Sequence, residues 1–157
     1  MNTADVSASF TDKPRIEFVV VADHAAAESG KLYMNGGLWT EIGRPVIPGQ
    51  PVPPSAFSIA VAVSIPWDDT SRQIPFAITV EDEDGGKMFE FRNPVVTGRP
   101  PQARPGTTQH WLLAVQVNAP FPKAGGYRAI ATLEGGRDVR SWSFAVRDIH
   151  QQKLASS

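Results

Sequence analysis

The stretch Phe57-Ser58-Ile59-Ala60-Val61-Ala62-Val63-Ser64-Ile65 alternates bulky and small side chains without a break. A period of two marks a β-strand, because successive side chains leave the pleat on opposite sides. Phe57, Ile59, Val61, Val63 and Ile65 are expected to face a core, and Ser58, Ala60, Ala62 and Ser64 to form a second face of small residues. The same rhythm recurs on both sides of this segment. Upstream, Ile16, Phe18, Val20 and Ala22 alternate. Downstream, Phe76, Ile78 and Val80 precede Asp84-Gly85-Gly86, a hairpin signal because glycine accepts the positive φ of tight turns; Phe89 and Phe91 lie on the return. Trp111, Leu113, Val115 and Val117 follow, then Tyr127, Ala129, Ala131 and Leu133, and after Gly135-Gly136 the set Trp142, Phe144 and Val146.

No segment sustains a period of 3.6, so the pattern predicts an all-β, antiparallel β-sandwich of about eight strands, immunoglobulin-like or Greek-key in type. Lys31 to Ile42 reads as one strand that turns a corner at Gly36-Gly37, where paired glycines suit a bulge or bend. Arg44 to Pro54 holds Pro45, Pro48, Pro51, Pro53 and Pro54, which cannot donate ladder hydrogen bonds, and reads as a surface connection. Tyr127, just after Gly125-Gly126, resembles the tyrosine that hydrogen-bonds back across a corner in immunoglobulin-like domains.

Composition narrows the function classes. The 157 residues suit one domain, and 13 glycines with 14 prolines argue against a helical bundle. A formal charge of -1 gives no field for nucleic acid or anionic lipid. The absence of cysteine removes disulfides, thiol nucleophiles and thiolate metal sites. The only apolar run near the start, Phe18 to Ala22, is too short for a signal peptide and far below the ~20 residues of a membrane span. The chain is therefore expected to be cytoplasmic, with no membrane and no nucleic-acid partner. Residues 1–14 are read as a disordered tail, 15–147 as the sandwich domain, and 148–157 as a flexible or short helical tail.

If consecutive strands run antiparallel, connections alternate between the two ends of the sandwich. The segments 22–30, 67–72, 93–108 and 134–138 are then expected at one end, and 44–55, 84–86 and 118–126 at the other. The first end would gather His24, Glu28, Asp68, Asp69, Arg72, Arg99, Arg104, Arg137 and Asp138. It is the expected place for any ligand site, with His24, Asp68, Asp69, Arg72, Arg99 and Arg104 as its binding residues. In an acid/base or metal-dependent variant, Asp68, Asp69 and His24 would act together with Arg72 as an anion clamp. The competing reading of Asp68-Asp69 is a capped turn, in which the carboxylates bond nearby amides. Glu81-Asp82-Glu83-Asp84 similarly reads as a solvated hairpin turn ahead of a calcium site. No G-x-S-x-G element, glycine-rich phosphate loop or metal-ligand spacing is present, and no catalytic residue or cofactor is assigned.

The small residues Ser58, Ala60, Ala62 and Ser64, and likewise Ser141, Ser143 and Ala145, form flat, nearly uncharged faces that are liabilities unless covered. Cover is expected from the chain's own second sheet, a tail, or a second subunit, and so a homodimer or another protein partner. A small-molecule carrier with an internal pocket is disfavoured by the large inward residues.

The segments GKLYMNGGLWTEI at 30–42, IPWDDTSRQIPFAITVEDEDGG at 65–86 and PFPKAGGYRAIATLEGG at 120–136 resemble a group of bacterial proteins known only as a domain of unknown function, whose members are small β-sandwiches. The resemblance spans residues 15–147, implies the fold, and assigns no activity or site residue. The resulting expectation is a non-catalytic β-sandwich that binds or assembles.

Overall fold

The computed structural model describes residues 13–150. Their strands form two packed sheets. The first holds β1 (Arg15–Glu28), β2 (Lys31–Gly37), β4 (Ser55–Ile65) and β7 (Gln109–Ala119) in the order β2-β1-β4-β7. The second holds β3 (Glu41–Val46), β5 (Phe76–Asp82), β6 (Lys87–Arg92), β8 (Gly125–Leu133) and β9 (Asp138–His150) in the order β3-β9-β8-β5-β6. The all-β sandwich is thus the observed fold, with nine strands among the described residues against the eight expected.

The alternation at 57–65 reads out as anticipated: Phe57, Ile59, Val61, Val63 and Ile65 are each at most 2% exposed. They pack against Phe76, Ile78 and Val80 of β5, Tyr127, Ala129, Ala131 and Leu133 of β8, and Phe144 and Val146 of β9. At one end the core is aromatic, with Phe57 stacked on Phe121 at 5.8 Å and Phe144 on Tyr127 at 5.9 Å.

Three features depart from the sequence reading. Lys31 to Ile42 is two strands: β2 stays with β1, and β3 crosses to the other sheet after a corner at Leu38–Thr40. There it pairs with β9 in parallel, Glu41 beside Ala145 and Val46 beside His150. That corner is one more reversal than the sequence reading counted. Second, β1 runs on to Glu28, so His24 sits in a strand opposite Asn35 and not in a loop. Third, β9 continues to His150, because β3 offers a partner through Arg44, Pro45 and Val46. Residues 148–150 are therefore strand and not tail; the remainder of the two expected tails, 1–12 and 151–157, lies outside the described residues.

The extra reversal redistributes the ends. Arg15 pairs with Ser64, so the 66–75 connection lies at the start of β1, and the 93–108 and 134–137 connections share that end. The turn at Ser29-Gly30 caps the far end, together with the 47–54, 83–86 and 120–124 connections. Of the four segments expected together, three are, and 22–30 is not.

Both faces of β4 are buried. Ser58 and Ala60 are fully covered, and Ala62 and Ser64 are each 5% exposed. Among the described residues most of the cover comes from the first sheet itself. Past Ala22, β1 leaves the plane of its sheet and folds across the outside of β4. The Ala25 N–H donates to Ser58 Oγ at 3.0 Å, Ser58 Oγ donates to Gln116 Oε1 at 2.6 Å, and Gln116 Nε2 donates to the Ala25 carbonyl at 2.8 Å. Val20, Ala22, Ala25 and Ala60, with Leu32 against them, make a second small core beneath the β1–β2 hairpin. The small side chains are what allow the hairpin to approach so closely.

Candidate functional site

The loop end gathers most of the charged residues singled out above, and it does so as one network. Trp67–Asp69 forms a single 3-10 turn after Pro66. Thr70 Oγ1 donates to the Trp67 carbonyl at 2.6 Å, which closes the turn. Arg99 arrives from the 93–108 connection and lays its guanidinium 4.0 Å above the Trp67 ring. It also donates to Thr70 Oγ1 at 2.6 Å and to the Trp67 carbonyl at 2.7 Å. Cation–π stacking and two hydrogen bonds to one turn make Arg99 a clasp between two connections.

A second arginine ties in the third connection. Arg72 Nη2 donates to Asp69 Oδ1 at 2.9 Å and to Glu134 Oε1 at 2.6 Å. Glu134 Oε2 in turn accepts from Arg137 Nε at 2.5 Å, and Arg137 donates to the Pro14 carbonyl. Asp138 Oδ2 accepts the Ile16 N–H at 2.7 Å, anchoring the start of β1. Hydrogen bonding to Glu134, and then to Asp69, raises the Arg72 pKa further. The Arg72 guanidinium, with Arg137 behind it, holds the Glu134 carboxyl below its ordinary range against an opposing desolvation. The Glu134 carboxylate is held charged and hydrogen-bonded, the reverse of a group poised to exchange protons near neutrality.

Of the six residues expected to form a binding site, Asp69, Arg72 and Arg99 meet in this network through Trp67, Thr70 and Glu134. Asp68 sits on the same turn but is exposed, and Arg104 is exposed on the 93–108 connection, its carbonyl accepting the Thr107 N–H at 3.1 Å. His24 does not join them. At roughly 3.3 Å per residue it lies on the order of 30 Å along β1 from Arg15, near the opposite end. The grouping of His24 with Asp68 and Asp69 is therefore not assembled. Glu134 and Trp67 are the members the sequence reading missed. Glu134 belongs to Arg72 only through the pairing of Phe76 with Leu133, which places their connections side by side.

The acidic run 81–84 is a capped hairpin turn. Asp82 Oδ1 accepts the Asp84 and Gly86 N–H groups, each at 2.9 Å, and these backbone bonds, that of Gly86 first, lower the Asp82 pKa. Glu81 pairs with Arg128 at 3.0 Å and Asp84 pairs with Lys123. Among the described residues no group of three or more His, Asp or Glu side chains is arranged to hold a metal ion. Among the described residues no helix is long and apolar enough to cross a membrane.

The outer face of the five-stranded sheet is different in kind. Val139, Ser141, Ser143 and Ala145 of β9 are all exposed, in a row. Their neighbours across the ladder are Thr132, Ile130, Arg128 and Gly126 of β8. Two shallow depressions of about 600 Å³ lie on this face. One, toward the loop end, is lined by Ala77, Thr79, Arg92 and Thr132. The other is lined by Glu83, Gly126, Arg128, Ser143 and Ala145. Among the described residues nothing covers this second row of small residues.

No curated protein matches this chain. Among solved structures it is similar to a β-glucuronidase from glycoside hydrolase family 2, at 11% identity and a TM-score of 0.33. That match covers 88% of this chain and 11% of the other, so the chain spans only a small part of the enzyme's length. Residues 17–147 match the model of DUF6941, a family of unknown function, and the chain belongs to that family.

Proposed function

We propose that the chain is a non-catalytic β-sandwich that works by binding a protein, with the open face of the five-stranded sheet as the contact surface. The supporting observation is the exposed row Val139, Ser141, Ser143 and Ala145. A sheet face turned to water normally carries long charged side chains, whereas here four successive outward positions of β9 are uncharged, and the charges around them are paired with one another as Arg128–Glu81, Arg147–Glu41 and Arg92–Glu90. Small side chains leave the backbone open to close approach, so a second layer could pack at the ~10 Å spacing of stacked sheets.

The acid/base alternative has less behind it. Its histidine and its aspartates lie at opposite ends, and Asp69 is committed to Arg72.

A photoreactive amino acid placed at Ser143 or, separately, at Asp68 tests this reading in the cell. Cross-linked species are expected from position 143 and not from 68; with the photoreactive residue moved to position 145 they should form again and be abolished by Ser143→Arg. Cross-links from 68 alone would move the contact to the loop end and overturn the assignment.

A further inference from the structure

The two sheets have four outer strands, and three of them are defended. β3 carries Glu41, Arg44 and Pro45 in six residues, and β6 carries Lys87, Glu90 and Arg92 in six. β2 is bent at Gly36, whose φ is 61°. Charges, proline and bends are the devices by which sheet edges avoid pairing with other chains. β7 has none of them. Its eleven residues, QHWLLAVQVNA, contain no Lys, Arg, Asp, Glu, Pro or Gly, and they pair with β4 in unbroken register from Ser55–Ala119 to Ile65–Gln109. Among the described residues no strand pairs with its other side. Trp111, Leu112 and Leu113 are only half-buried there, although Trp111 and Leu113 point toward the core.

We infer that β7 is a self-pairing edge: two copies of the chain join β7 to β7, antiparallel, across a two-fold axis, making one continuous eight-stranded sheet. The free N–H and C=O groups of a long flat strand are complementary to another such strand. The partner is a second copy because a strand without charges meets no like-charge repulsion against itself in any antiparallel register. A two-fold contact also closes both free edges at once, which a single foreign strand would not. The added strand would cover Trp111, Leu112 and Leu113. This surface is the sandwich's side and is separate from the open face proposed for partner binding, so the two can be used independently.

Sedimentation equilibrium of the purified chain tests the inference, with Leu112→Lys and the double variant His110→Lys/Asn118→Lys as edge changes and Ser143→Arg as the face change. His110 and Asn118 are exposed, so the double variant leaves packing intact even if Leu112→Lys unfolds the domain. The expected result is a dimer that the double variant weakens at least tenfold, that Ser143→Arg leaves unchanged, and whose alternate amides within 109–119 exchange more slowly as concentration rises. A wild-type chain that stays monomeric at high micromolar concentration overturns the inference and leaves the face reading standing. A dimer dispersed by Ser143→Arg and indifferent to the edge variants also overturns it, while supporting the face.

Discussion

The Tyr127 hydroxyl donates a hydrogen bond to the Lys123 carbonyl at 2.7 Å and accepts one from the Lys123 N–H at 3.3 Å. One side chain thereby satisfies both backbone groups of a residue in the connection from β7 to β8. Its ring stands edge-on to Phe121 at 5.0 Å and stacks on Phe144, so the same residue fixes the connection from above and the core from below. This is the corner the sequence suggested at Gly125-Gly126-Tyr127.

Removing only the hydroxyl isolates the polar part of that role. Tyr127→Phe keeps the packing and leaves the Lys123 backbone groups without this partner, a loss of about 1–3 kcal/mol. Urea denaturation of the variant measures it directly. A change below about 0.5 kcal/mol would mean that solvent replaces the hydroxyl and that the corner is held by its aromatic contacts alone.

Acid should loosen the loop end first. The folded pKa of Glu134 is depressed, chiefly by its hydrogen bond from Arg72. A depressed carboxylate contributes stability that is fully present above its unfolded value and is lost as pH falls through the folded one. The loss therefore sets in near pH 4 and deepens below it. Arg72 is half-exposed, and solvent screening limits the pair to no more than about 1 kcal/mol. Glu134→Gln should accordingly lower stability at neutral pH and flatten the acid limb of a stability–pH curve. An unchanged acid limb in that variant would assign the acid response to other carboxylates, such as Asp82 or Asp148.

Residues 57–65 were legible because both of their faces obey the two-residue period, and so were the cores of β5, β8 and β9. The loop network was only half legible. Asp69 and Arg72 are three residues apart, but Glu134 lies 62 residues from Arg72 and is reached only through strand pairing. The end to which His24 belongs was lost for a more local reason. Ala25, Ala26 and Ala27 show no alternation, yet they continue β1 because β2 supplies a partner to each. The corner at Leu38 to Thr40 carried no signal of its own beyond the two glycines before it. Leu38 takes a φ of 66°, a conformation nothing in a leucine announces.

Trp142 sits where the two cores meet. It touches the main core and the small core under the first hairpin, and its Nε1 donates to the Trp39 carbonyl at 2.8 Å. The ring is half-buried, so it faces inward as its place in the alternation predicts while keeping one edge near solvent. Trp142→Ala should cost about 3 kcal/mol, at the lower end of the range for aromatic truncation. Trp142→Phe should retain most of the packing and lose about 1 kcal/mol with the hydrogen bond. Thermal and urea unfolding of both variants check the pair of values. Equal losses would place the whole contribution in the bond to Trp39.

Leu38 offers the opposite case, a residue whose side chain opposes its own backbone. It is 55% exposed, so little burial offsets the left-handed conformation, which costs roughly 1–2 kcal/mol for an L-residue with a bulky side chain. The backbone is held there by position: the Leu38 N–H donates to the Val21 carbonyl at 2.8 Å as the chain leaves β2, and Trp39 must then turn inward to meet Phe57 and Phe144. Asparagine tolerates this region and adds little freedom to the unfolded chain. Leu38→Asn should therefore stabilise the domain by about 0.5–1 kcal/mol, read as a raised urea midpoint with unchanged slope. If the variant instead loses stability, the leucine side chain is making a contact worth more than its backbone strain, and the corner is a packing site.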